Sequence, residues 1–208
     1  VRSAGGKKNG RLSKIHPIDL GAEVVDALVA KTGVPVSEID DLIFGCVSQV
    51  GAQSSNIARN VCISTVLGEA VPGTTVDRQC GSGQQAMHFP AQAVLSGTQD
   101  LIIAGGVESM SQVPIGANIV DGFKADHGLP YGKKISERYP GVQFNQFAGA
   151  EMLAQKYELT KEELDAFAFA SHVKAKSAVE EGRFTDEIVP IEIELEDGTR
   201  TMHTQDAG

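Results

Sequence analysis

An α/β fold is predicted by three features of the 208-residue sequence. Strand-like and helix-like runs alternate through the first half, the strand-like runs are short and continuously apolar, and glycines close the helix-like ones. Continuously apolar runs suit strands covered on both faces. The expected sheet is therefore parallel or mixed, flanked by helices and joined by right-handed crossovers. With 41% hydrophobic residues the chain can bury a sizeable core, which must rest on Val, Ile, Leu and Ala because aromatics are 5% and tryptophan is absent.

Pro17–Lys31 places apolar residues at Ile18, Ala22, Val25, Leu28 and Val29, which is helical spacing closed by Gly33. Leu42–Val47 reads as a buried strand. Asn56–Leu67 reads as a helix capped by Ser55 or Asn56 and closed by Gly68. Thr74–Val76 begins a short β run leading to Gln79, and a helix follows Cys80 and stops at Gly97. Pro90 lies inside that helix, where it costs about 3 kcal/mol in a regular one. Leu101–Ala104 is a central strand ending in Gly105-Gly106.

After Gly106 the rhythm breaks, and Ser109–Ala148 is rich in Gly, Pro and polar residues with little periodicity. Thr160–Glu163 is a capping box opening a helix to about Glu181. Ile188–Leu195 alternates apolar and acidic, and Asp197-Gly198 can turn it back into Thr199–Thr204, a hairpin with one wet face. The expected division is a core over 1–110 and a second segment over 111–208, holding the 160–181 helix and the hairpin. Val1 is not an initiator Met and Asp206-Ala207-Gly208 stops no element, so a piece of a longer protein is expected.

The net charge of −9 is spread along the chain with no basic run longer than a Lys pair, which argues against a nucleic-acid partner. No apolar stretch approaches a membrane span. Cys46, Cys62 and Cys80 cannot pair off internally and show no metal-ligand spacing, so no metal is expected. Free thiols fit a cytoplasmic or other reducing, soluble compartment.

Cys80 stands in VDRQCGSGQQA, between a β run and a helix start. The unpaired N–H groups and positive dipole end of a helix favour the thiolate. A tight turn there holds a side chain at the carboxyl edge of the sheet, where open α/β sheets take their ligands. Gly81 and Gly83 leave the sulfur unblocked. Cys80 is either a nucleophile or the filler of a gap at a helix start. Packing accounts for Cys46 in its strand and Cys62 in its helix. A cysteine nucleophile needs a base. His88 lies about 12 Å of rise along the same helix and does not reach. Surface positions are expected for His16, His127, His172 and His203, so a base is missing.

These motifs resemble the first half of a thiolase. The resemblance is carried by VRSAGGKKNG, VSQVGAQSSNIAR, VDRQCGSGQQA, LIIAGGVESMS and SHVKAKSAVEEGRFTDEIVP. It implies that Cys80 is the acylated nucleophile and that its backbone N–H is part of an oxyanion hole. It also implies two similar α/β halves in five layers, with a loop domain inserted in the first. The family's catalytic histidines and second cysteine would lie in a C-terminal half absent here. In the region NQFAGAEM, Asn145 and Gln146 stand where His and Met are common, and they are candidate substrate-binding residues. The implied chemistry is Claisen-type acyl transfer between coenzyme A thioesters, with coenzyme A as co-substrate and no other cofactor. Lys133, Lys134 and Arg138 are candidates to hold its phosphates. A homodimer or homotetramer is implied. A ketoacyl synthase and a non-catalytic binding or assembly module are the alternatives.

Overall fold

The computed structural model describes residues 1–142 and 144–207. Strand β1 (Arg2–Ser3) opens the chain. Helix α1 (Pro17–Thr32) starts with proline, whose fixed φ suits a first turn. His16 Nδ1 caps it by accepting from the Ile18 N–H, and Gly33 closes it at φ 67°. Strand β2 (Asp41–Gly45) is buried from Leu42 onward. Helix α2 (Ile57–Ile63) is capped by Asn56 and ends four residues before the expected Leu67, where turns replace it up to Gly68. Strand β3 (Gly73–Val76) leads to Cys80, and helix α3 (Ser82–Ser96) ends on Gly97 at φ 72°. The helix runs unbroken through Pro90, and nothing in the structure explains the proline. Strand β4 (Ile102–Gly106) follows.

Ser109–Ala148 is not without regular structure. Helices α4 (Ala117–Lys124) and α5 (Lys133–Arg138) lie within it, and α6 (Gln146–Lys156) begins there. Helix α7 (Lys161–Glu180) opens on the expected capping box, in which Thr160 Oγ1 accepts from the Glu163 N–H and the Glu163 carboxylate accepts from the Thr160 N–H. Strand β5 (Ile188–Val189) is cut short by Pro190, and β6 (Ile191–Glu194) pairs antiparallel with β7 (Arg200–His203) around Gly198 at φ 82°. Ile191 and Ile193 are buried while Glu192 and Glu194 are exposed, so one face of the hairpin is wet.

Strands β3, β2 and β4 form one sheet in that order, and every pairing is parallel. The only antiparallel pair among the described residues stands apart as β6–β7. A Cβ added to Gly21 of α1 would stand 3.0 Å from Val61 of α2 and 3.3 Å from Phe44 of β2, so α1 and α2 cover one face together. Helix α3 covers the other, because Gly45 alternates with Phe44 along β2. The core between them holds Val25, Leu42, Phe44, Ile57, Val61 and Leu67.

The chain divides into two compact units, but not near residue 110. Val1–His127 joins the described residues from Glu187 onward, and Gly128–Asp186 forms the other. The hairpin belongs to the first unit because β5 pairs parallel with β1 and because Ile191 and Ile193 bury against Leu12. His203 departs from its expected surface position. It is 2% exposed, with Nε2 3.3 Å from the Gly5 carbonyl oxygen. In the second unit Tyr131 and Tyr139 flank Phe144 at ring-centroid distances of 5.5 and 5.6 Å.

Candidate active site

The turn that carries Cys80 is tied by side chains as well as backbone. Asp77 Oδ1 accepts from the Gln79 N–H at 2.7 Å. Gln79 has φ 45°, a left-handed conformation that costs a non-glycine residue roughly 1–2 kcal/mol. The Ser82 hydroxyl accepts from the Arg78 N–H at 3.0 Å and donates to the Gln79 carbonyl at 2.7 Å. Gly81 N–H donates to the Arg78 carbonyl at 3.0 Å, closing the turn. Cys80 is exposed at its apex, immediately before Gly81 caps α3 without a side-chain bond. Such a helix start offers N–H donors and positive potential.

Close packing beneath the turn comes from glycines outside the cysteine motif. A Cβ on Gly45 would stand 2.5 Å from the Gly83 nitrogen, and one on Gly106 would stand 2.6 Å from the Gly45 carbonyl oxygen. Gly83 itself has no neighbour within 4 Å of such an atom, and Gly81 meets only Arg78, at 3.4 Å or more, so neither is demanded by packing. Sequence reasoning had no signal for Gly45, whose neighbour is set by the tertiary fold.

At the same carboxyl edge, Glu108 accepts from the backbone N–H groups of Val47 and Ser48 at 2.7 and 3.0 Å. Gln53, fully buried, donates to Glu108 at 3.1 Å and to the Ser48 carbonyl at 2.9 Å, and accepts from the Ser109 N–H at 2.6 Å. The loops leaving β2 and β4 are thereby joined. Both residues lie within the VSQVGAQSSNIAR and AGGVESMS runs, whose spacing alone does not show that they meet.

The other thiols differ in kind from Cys80. Burial pushes the Cys46 thiol up to about 12, with the charges of Glu108 and Asp77 adding to it. Burial also pushes the Cys62 thiol up, and its sulfur lies 3.5 Å from the Pro72 carbonyl. His88 is exposed on α3, six positions and about 9 Å of rise beyond Ser82, and Cys80 stands before that helix begins.

Asn145 and Gln146 belong to the second unit, at the start of α6. Asn145 is the N-cap, accepting from Phe147 N–H at 2.8 Å and Ala148 N–H at 3.3 Å. Lys133 pairs with Glu137 at 3.5 Å, and the Arg138 guanidinium lies 5.6 Å from the Tyr139 ring centroid. A cleft of about 810 Å³ in the first unit runs along β4, lined by Val25, Phe44, Ile103 and Val107 among others, and Cys80 does not line it. No helix among the described residues is long and apolar enough to cross a membrane.

The family model for the thiolase N-terminal domain matches residues 1–208. A steroid 3-ketoacyl-CoA thiolase, FadA6 of Mycobacterium tuberculosis, is 43% identical over 196 residues, 93% of this chain and 48% of that protein. A 3-ketoacyl-CoA thiolase of Acinetobacter baumannii is 40% identical over 193 residues, 92% of this chain and 47% of its own. One of Bacillus subtilis is 39% identical over 189 residues, 91% and 46%. The chain spans about half the length of the curated relatives it matches. With its whole length matched and its exposed thiol at the head of α3, the chain belongs to the thiolase family, within its N-terminal domain.

Proposed function

We propose that the full-length protein transfers acyl groups between coenzyme A thioesters through an acyl-cysteine at Cys80, cleaving 3-ketoacyl-CoA to acetyl-CoA and a shortened acyl-CoA. The observation that carries this reading is the contrast among the thiols. Cys80 is exposed at a helix start, whereas Cys46 and Cys62 are buried with raised pKa.

The Cys80 thiolate attacks the keto carbon, the new S–C bond forms, and the carbonyl π pair moves to oxygen. As that oxyanion collapses, the bond between the keto and α carbons breaks. Its electron pair leaves on the α carbon, which takes a proton and departs as acetyl-CoA. The acyl group remains on sulfur until the thiol of a second coenzyme A, deprotonated by a base, attacks it and releases the Cys80 thiolate. Covalent catalysis of this kind gives ping-pong kinetics, and donors at a helix start suit the oxyanion of each step. The acid–base groups belong to the family's C-terminal half. The reverse condensation follows the same steps backward.

In this reading the Gly128–Asp186 unit is the inserted loop domain. Asn145 and Gln146 contact substrate there, and Lys133, Lys134 and Arg138 offer charge to the coenzyme A phosphates. The protein assembles as a homodimer or homotetramer in a reducing compartment, and a purely monomeric full-length protein at micromolar concentration in sedimentation overturns that assembly.

The test is thiolysis of acetoacetyl-CoA and of a longer 3-ketoacyl-CoA by full-length protein, by its Cys80→Ala variant and by the 208-residue chain. Full-length protein is expected to turn over and the other two are not: Cys80→Ala lacks the nucleophile, and the 208-residue chain is without acid and base groups worth about 10²–10⁴-fold each. Activity in Cys80→Ala overturns the nucleophile, and robust turnover by the 208-residue chain places the base within it. An inactive full-length protein favours a binding or assembly module.

A further inference from the structure

The geometry points to Ser82 as a positioning residue that aims Cys80 for attack, an inference that rests on the nucleophilic role just proposed. Ser82 occupies the first position of α3. It reaches backward. Its hydroxyl is engaged on both sides, accepting from the Arg78 N–H at 3.0 Å and donating to the Gln79 carbonyl at 2.7 Å. The Gln79 carbonyl also accepts from the Ser82 N–H at 3.2 Å. One residue thus bonds the backbone on the N-terminal side of Cys80 three times.

Two further observations give these bonds a purpose. Gln79 is held at φ 45°, where a side chain is disfavoured, so the turn needs an external restraint to keep this conformation. Ser82 itself is anchored. It is 5% exposed, and its main chain lies so close to β2 that a Cβ on Gly45 would stand 2.5 Å from the Ser82 carbonyl carbon and 2.7 Å from its oxygen. The hydroxyl therefore connects a strained, exposed turn to the rigid sheet. Cys80, between Gln79 and Gly81, takes its direction from that connection. When sulfur attacks a keto carbon, bond formation depends on near-attack geometry, and a displacement of about 1 Å can cost about 10²-fold. Alkylation by a small, freely diffusing reagent makes no such demand of an exposed thiol.

The experiment compares full-length Ser82→Ala and Ser82→Thr with the parent, normalising kcat to alkylatable Cys80. Ser82→Ala is expected to lose roughly 10–100-fold in kcat for acetoacetyl-CoA thiolysis. Its KM and its iodoacetamide rate at Cys80 should stay within about threefold, because substrate binding and thiol chemistry are untouched. Ser82→Thr keeps the hydroxyl and should exceed Ser82→Ala in kcat. An undiminished kcat in Ser82→Ala, a parallel fall in the alkylation rate, or a Thr variant no better than Ala each overturns the assignment. If Ser82→Ala does not fold, Gln79→Gly/Ser82→Ala relieves the left-handed strain but leaves a freer backbone that still needs the hydroxyl to fix its direction. Its kcat should still lie at least about tenfold below that of Gln79→Gly, and equality overturns the proposal. Activity in Cys80→Ala would instead remove the nucleophilic reading on which the inference stands, so the two failures are separable.

Discussion

Gly45 of β2 and Ser82 of α3 meet backbone to backbone: a Cβ on Gly45 would stand 2.5 Å from the Ser82 carbonyl carbon. Strand and helix are in contact beside the turn that carries Cys80, with no side chain between them that could yield.

Gly45→Ala therefore has to displace the start of α3 or bend β2. Overpacking of this kind costs about 1–3 kcal/mol. A loss of that size lowers Tm. Thermal denaturation of the full-length variant should show the drop, and thiolysis measured well below Tm should fall with it. A variant with parental Tm and activity contradicts the contact.

Iodoacetamide at neutral pH should modify Cys80 first. Cys46 is pushed up to about 12 and Cys62 is also raised, both chiefly by burial, so neither presents a thiolate. Peptide mapping of the folded protein reads the order directly. Equal rates at Cys46 or Cys62 would remove the distinction on which the nucleophile rests.

Gln53→Leu keeps the side chain's bulk while deleting its hydrogen bonds. The Ser109 N–H loses its 2.6 Å acceptor and the Ser48 carbonyl its 2.9 Å donor. Leaving buried polar groups unpaired costs about 1–3 kcal/mol. A lower urea midpoint with an unchanged m-value is the expected result, and an unchanged midpoint would show that the join between the β2 and β4 loops carries little stability.

The Asp206 carboxyl is held down to about 2, first by hydrogen bonds from Arg2, then by the Gly5 N–H. Unfolded, it takes a proton near its ordinary 3.8. The native state thus binds the proton less readily than the unfolded state. Its contribution is complete above about pH 4 and is lost as pH falls toward 2. Asp206→Asn should lower Tm at neutral pH and reduce the further loss across that acid window. An Asn variant whose Tm tracks the parent throughout would show the clasp to be thermodynamically silent.

Much of the local structure was legible in the sequence. The first turn and glycine stop of α1, the glycine stop of α3, the capping box of α7 and the Asp197-Gly198 turn each arise from residues close in the chain. Short helices such as α5 were missed because six residues hold less than two turns of periodicity. The unit boundaries and the burial of His203 were missed for another reason. They depend on β1 meeting β5, a pairing that no local pattern announces. The place of Cys80 between β3 and the start of α3 was legible, whereas the contacts of Gly45 and Gln53 come from neighbours distant in sequence.

Arg2 bonds Glu187 across 185 positions and Asp206 across 204. Arg2 must wait on the ribosome until Glu187 and Asp206 have followed it out. At about 5–20 residues per second the wait is roughly 10–40 s. During it β1 lacks its partner β5, and Leu12 lacks Ile191 and Ile193. The β3-β2-β4 sheet, with every strand complete by Gly106, can form well before that. Synthesis thus separates the two events in time: the turn bearing Cys80 can take shape early, while the clasp between the flanking segments closes late.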